Sequence, residues 1–214
     1  MARKPRLWYP GATYHLMERG IRRQAIYSDY TDYQTFLAIL KRSLKKYSCT
    51  LHAFCLMTNH FHLLLETSDT PVGSFMKHLA CTYATYYNRK YSYLGHLFEG
   101  RYCSGLVKDD SYFLQTSRYI HLNPQKAGLA AYDEYPWSSH REYLMSARSR
   151  PHVTGSVVGV LFPTPRSYLQ LMESAPSLPY RPSATAKVRE EDLCEFGTAI
   201  VQSVAGCAPT ELKS

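Results

Sequence analysis

The sequence predicts a mixed α+β fold, a four-stranded antiparallel sheet with helices on one face. Three observations carry this expectation. Its periodic segments run strand, helix, strand, strand, helix, strand; a tight connection joins the second and third strands; and one more helical segment follows the fourth. Thr13 to Glu18 alternates as a strand does, with Gly11 and Gly20 punctuating its two ends. A basic loop, Arg19-Gly20-Ile21-Arg22-Arg23-Gln24, comes next. From Ser28 or Asp29, both capping residues, Tyr33, Phe36, Leu37, Leu40 and Leu44 recur at steps of three and four, predicting a helix to about Lys46.

Thr50 to Met57 and His60 to Glu66 read as two strands of a hairpin turning at Thr58-Asn59. Pro71 opens a second helix through Phe75, Leu79, Tyr83 and Tyr86 to about Arg89. Its tyrosines fall at helical spacing and are expected mainly to pack. Tyr102 to Lys108 supplies a fourth strand, leaving the second sheet face open to carry a site. Asp109-Asp110-Ser111 starts a third helix expected to stop near Asn123, because Pro124 follows. This is the ferredoxin-like, split βαβ (RRM-like) order with an added helix. Residues 1–148 are expected to form the main domain. A short helix at Ser138–Ala147 closes it, and residues 149–214 form an extension with a short helix at Pro165–Ser174, a proline-rich linker over 175–186, and an amphipathic helix from Glu190 to Ala205.

The 214 residues carry 25 Lys and Arg against 17 Asp and Glu, a formal charge of +8, placed unevenly. Residues 1–150 hold 20 basic and 11 acidic side chains, hence +9; residues 151–214 hold 5 and 6, hence −1. The positive field therefore lies with the main domain, as expected of a chain that meets a polyanion. No apolar signal segment follows the basic start, and the long uncharged stretch from Tyr47 to Leu65 is too polar for a membrane span. Six cysteines without a C-x-x-C pair read as reduced thiols, so a cytoplasmic protein is expected.

Two short segments carry chemistry. On a strand, His60 and His62 point the same way, about 7 Å apart, while Phe61, Leu63 and Leu65 point to the other face. Two such imidazoles can converge on a divalent cation but need a third ligand from elsewhere. Taken alone, the pair reads first as two packed or hydrogen-bonded histidines. On the third helix Tyr119 and Asn123 are one turn apart on a shared face, with Gln115 a turn earlier. Among 19 tyrosines, any one is more often packing than catalysis.

Several stretches occur in a telling order: Met1-Ala-Arg-Lys-Pro-Arg before Tyr9-Pro10-Gly11, Arg19-Gly20 with Arg22-Arg23-Gln24, and Met57-Thr58-Asn59-His60-Phe61-His62-Leu63-Leu64. After them come Phe98-Glu99-Gly100-Arg101-Tyr102, Arg118-Tyr119-Ile120-His121-Leu122-Asn123-Pro124 with Ala127-Gly128-Leu129, and Tyr135-Pro136-Trp137-Ser138-Ser139. Together they resemble the REP-associated tyrosine transposases, relatives of the insertion-sequence 200-like transposases with one catalytic tyrosine and an HUH motif. The resemblance implies the same ferredoxin-like fold. It also implies a metal-dependent endonuclease and strand transferase acting on single-stranded, hairpin-containing DNA such as REP-like palindromes.

By the same resemblance His60 and His62 hold the divalent metal, Mg²⁺ or Mn²⁺, and Asn123 is the third ligand. Tyr119 is the nucleophile, forming a 5′-phosphotyrosine. A bacterial, nucleoid-associated monomer or homodimer is expected. For DNA contact the sequence offers Arg3, Lys4 and Arg6, next to Trp8 and Tyr9 for base stacking, and Arg22, Arg23 and Arg101. The alternative is a ferredoxin-like nucleic-acid-binding module without chemistry.

Overall fold

A computed structural model describes residues 8–174. Arg3, Lys4 and Arg6, the proline-rich linker and the amphipathic segment from Glu190 to Ala205 lie outside the described residues. Strands β1 (Thr13–Arg19), β2 (Thr50–Leu56), β3 (His60–Glu66) and β4 (Cys103–Leu106) form one antiparallel sheet in the order β2-β3-β1-β4. That is the expected ferredoxin-like order, with β1 and β3 at the centre. β4 is shorter than the alternation from Tyr102 to Lys108 predicted.

Helices α1 (Tyr30–Tyr47) and α2 (Val72–Tyr91) cover one face. Asp29 caps α1 by accepting from the Asp32 amide, while the Asp32 carboxylate accepts from the Asp29 amide, so both ends of the first turn are satisfied. Phe61, Leu63 and Leu65 of β3 meet Phe36, Leu40, Phe75 and Leu79 on this face. The tyrosines of α2 do pack: Tyr83 is buried and donates to the Ile26 carbonyl, and Tyr86 donates to Asp32. Trp8 and Tyr9, expected to stack on bases, are half-buried against this same core.

The second face is not open. Helix α3 (Asp110–Lys126), capped by Asp109, lies across β2 and β3. Its residues Phe113 and Ile120 join Ala53, Cys55 and Leu64 in a second core. The short helices α4 (His140–Tyr143), α5 (Ser156–Leu161) and α6 (Pro165–Glu173) complete it with Tyr143, Val158, Phe162, Tyr168 and Met172. Residues 149–174, expected to belong to the extension, are thus built into the body of the domain. Arg118 ties them to α3, donating to the carbonyls of Leu171, Met172 and Ser174 at the end of α6.

Helix α3 also runs three residues past its expected end. Pro124 removes one amide from the ladder, but Ala127 N still donates to Asn123 O and Leu129 N to Pro124 O, so the last turn closes around the buried ring. Among the described residues the cysteines, Cys49, Cys55, Cys81 and Cys103, are free. No helix among them is long and apolar enough to cross a membrane.

Candidate active site

Alternation along β3 sends His60, His62 and Leu64 to the α3 side of the sheet. Register then adds what spacing alone does not show. β1 pairs with β3 so that Met17 faces His62 and His15 faces Leu64, which puts His15 diagonally beside His62 on the same face. The two rings stack with centroids 5.0 Å apart, and His15 Nε2 lies 2.9 Å from His62 Nδ1. The His60 ring stands edge-on to His62, also at 5.0 Å.

From above, α3 lowers Tyr119 onto this group. Its ring is edge-on to His62 at 5.6 Å and to His15 at 5.8 Å. The structure therefore brings together the three residues that the sequence set on two distant segments. Asn123 sits one turn on, and its Nδ2 donates to the Tyr119 carbonyl at 2.7 Å. Lys126, one turn further, places Nζ 4.8 Å from the centre of the Tyr119 ring, within cation–π range.

The imidazoles are neutral bases. Burial holds His15 and His60 down to about 4, with the Arg19 charge adding to the effect at His60. Burial, then His15 and His60, keep His62 well below the ordinary histidine value. Neutral imidazole is the form that ligates metals. His62 Nε2 is buried and has no hydrogen-bond partner. An orphaned, buried nitrogen in a pair of neutral imidazoles fits a divalent cation, which would relieve it. Among the described residues no three His, Cys, Asp or Glu side chains are placed to hold one metal ion, so a ligand beyond His60 and His62 would be an amide or water oxygen. The Tyr119 phenol is pushed up by burial, and a hydrogen bond from Asn123 opposes that shift.

The basic residues flank one end of this face. Gly20 N donates to Asn59 O, and Asn59 Nδ2 donates to Arg23 O at 2.9 Å, which ties the basic loop to the β2–β3 turn beside His60. Arg22 and Arg23 are exposed and both left-handed, at φ 52° and 60°. A side chain on Gly20 would collide with the Gln24 carbonyl, so glycine is required where the loop folds back. Arg101 is exposed in a cleft with Met17, Arg19 and Glu99, and Arg19 pairs with Glu99 at 2.9 Å. Sequence reasoning missed His15 and Lys126. The alternation that made Thr13 to Glu18 a strand already put His15 on a face with Met17. Lys126 follows Tyr119 and Asn123 at a helical interval of three, hidden by the expected stop at Pro124.

A ferredoxin-like α+β protein, with histidines on one sheet face and a tyrosine lowered onto them by a crossing helix, is the class that this fold and site define. Residues 9–123, more than half of the chain, match the family described as Transposase IS200 like, and the chain belongs to that family. The structure is similar to that of a REP-associated tyrosine transposase bound to a REP hairpin, with a TM-score of 0.58 and 16% identity. That similarity spans 73% of this chain and 92% of the other, and it is a likeness of fold. A weaker similarity, at a TM-score of 0.39 and 22% identity, is to a protein from Deinococcus radiodurans R1 assigned as a transposase. It covers 61% of this chain and 99% of that one. No curated protein matches the chain in sequence.

Proposed function

We propose that this transposase cleaves and rejoins single-stranded, hairpin-bearing DNA with Tyr119 as its nucleophile and a divalent metal held by His60 and His62. The observation that carries the reading is the meeting of Tyr119 with a histidine pair whose buried member, His62, has its Nε2 without a partner. Asn123, on the same face of α3, offers its amide oxygen as the third ligand. A bound Mg²⁺ or Mn²⁺ would withdraw charge from the scissile phosphate and orient it.

Everything else falls to the chain. A phenol near its usual pKa is a poor nucleophile at neutral pH, and burial makes this one poorer. Asn123 and the Lys126 ammonium both favour the phenolate, the first by hydrogen bonding and the second by its charge. Tyr119 Oη attacks phosphorus as the bond to the 3′ oxygen breaks. The phenol loses a proton and the leaving 3′-hydroxyl gains one, so the step is neutral overall. The 5′-phosphotyrosine keeps the bond energy, and attack by another 3′-hydroxyl joins new strands without a nucleotide cofactor. Arg22, Arg23 and Arg101 hold the strand by its phosphates. The REP-associated transposase of similar fold is bound to a REP hairpin, which supports a hairpin substrate here.

The test is incubation with labelled single-stranded hairpins and Mn²⁺, read on a denaturing gel. A protein-linked band in the native chain, lost in Tyr119→Phe and His62→Ala, is expected. Binding without cleavage would favour the module without chemistry. Cleavage without a linked product would point to water as the nucleophile.

A further inference from the structure

Each ring of the histidine pair has a partner at its rear nitrogen. Asn59 Nδ2 faces the Arg23 carbonyl, which only accepts, so Asn59 Oδ1 is the atom turned to His60. His60 Nδ1 lies 2.7 Å from that oxygen and must therefore carry the proton. The lone pair of His60 is then on Nε2. His62 has the same arrangement with a different partner. Its Nδ1 meets His15 Nε2 at 2.9 Å, and its Nε2 is the orphaned atom.

We propose that His15 is the positioning residue of this site: its Nε2 accepts the Nδ1 proton of His62 and thereby leaves the Nε2 lone pair of His62 facing Tyr119 and the cation. His15 then carries its own proton on Nδ1. The inference rests on the metal-site reading above, and a single buried imidazole without this acceptor has no reason to prefer one tautomer. His15 suits the role because it is itself buried, comes from the central strand β1, and is clamped by stacking on His62 and by the edge of Tyr119. Asn59 serves His60 in the same way, and it also links the ligand to the Arg22-Arg23 turn through the Arg23 carbonyl. The basic loop and the metal-facing nitrogen are thus separated by one side chain.

The direct test is side-chain ¹⁵N NMR of the metal-free protein, where Nδ1-H and Nε2-H tautomers have distinct shifts. His62 is expected as the Nδ1-H form in the native chain. In His15→Leu it should lose that preference, and in His15→Gln, whose amide oxygen can accept the same proton, it should keep it. Mn²⁺ titration should follow, with affinity down about 10–100-fold in His15→Leu and largely restored in His15→Gln. Asn59→Ala, at a half-exposed turn position, should weaken Mn²⁺ by a comparable factor if His15→Leu fails to fold. An unchanged His62 tautomer in His15→Leu, or unchanged Mn²⁺ affinity in a folded variant, overturns the proposal. If the native chain binds no Mn²⁺ while the tautomer still depends on His15, the metal reading falls and the positioning role stands.

Discussion

Phe61 and His62 are neighbours on β3, yet they serve opposite sides of the molecule. Phe61 points into the core under α1 and α2, where a buried carboxylate is fully paired. Asp32 there is fully buried and accepts from the Ser28 amide, Tyr86, Tyr91 and Lys90. His62 points into the face under α3, where neutral imidazoles crowd a tyrosine and a buried ring nitrogen is left without a partner. On the first face the Asp32 network is closed internally and adds stability. The other leaves donor atoms turned toward a ligand. A sheet makes the division possible because neighbouring residues on a strand never share a face, so one strand serves both purposes.

Substitutions should separate the two faces. The largest effect belongs to the α1–α2 side. Phe61→Ala, at a site with no exposed surface, should cost about 3–5 kcal/mol in urea unfolding. Tyr119→Phe should cost less than about 1 kcal/mol. Equal losses would mean that the Tyr119 hydroxyl serves the fold and not only the site.

Glu18 is an exception whose charge sharpens the contrast. It shares its face with Tyr14 and Leu16, is buried with Oε2 unpartnered, and burial raises its carboxyl from 4.5 to about 8. A folded-state pKa above the unfolded one means that the native chain binds the extra proton. Stability is therefore fullest below pH 4.5 as far as this group is concerned, and it falls as pH rises through about 8. The whole penalty is on the order of 5 kcal/mol. Glu18→Gln should remove that slope and stabilise the protein at pH 9, as thermal unfolding at several pH values will show. A native chain equally stable at pH 6 and 9 would contradict it.

Smaller effects belong to the α3 face. Lys126→Met should slow adduct formation about tenfold, through loss of the charge over Tyr119, with unfolding unchanged. Smaller still, Arg22→Gly and Arg23→Gly suit the left-handed backbone at both positions. Each should lower the salt dependence of single-strand binding by about 0.7 in log–log slope while leaving the fold intact. No change in slope would place the phosphates elsewhere.

What the sequence reveals and conceals follows the same division. Local periodicity is enough for the hairpin, the helices and the shared direction of His60 and His62. His15 escapes because its partnership depends on β1 lying beside β3, a register set by tertiary pairing and not by spacing. Lys126 escapes because proline was expected to end α3, whereas the loss of one amide in a last turn is tolerated. The second core was illegible for another reason: Val153, Val158, Phe162, Tyr168 and Met172 sit on short helices and loops whose spacing shows no sustained period.

The central claim is that Tyr119 itself becomes bonded to DNA. After reaction with a labelled hairpin and Mn²⁺, the denatured protein is digested with trypsin and nuclease and its peptides are weighed. The account predicts a nucleotide 5′-phosphate on the peptide spanning residues 119–126, absent from Tyr119→Phe. Cleaved DNA with that peptide unmodified, or with the mass on another tyrosine, would contradict it.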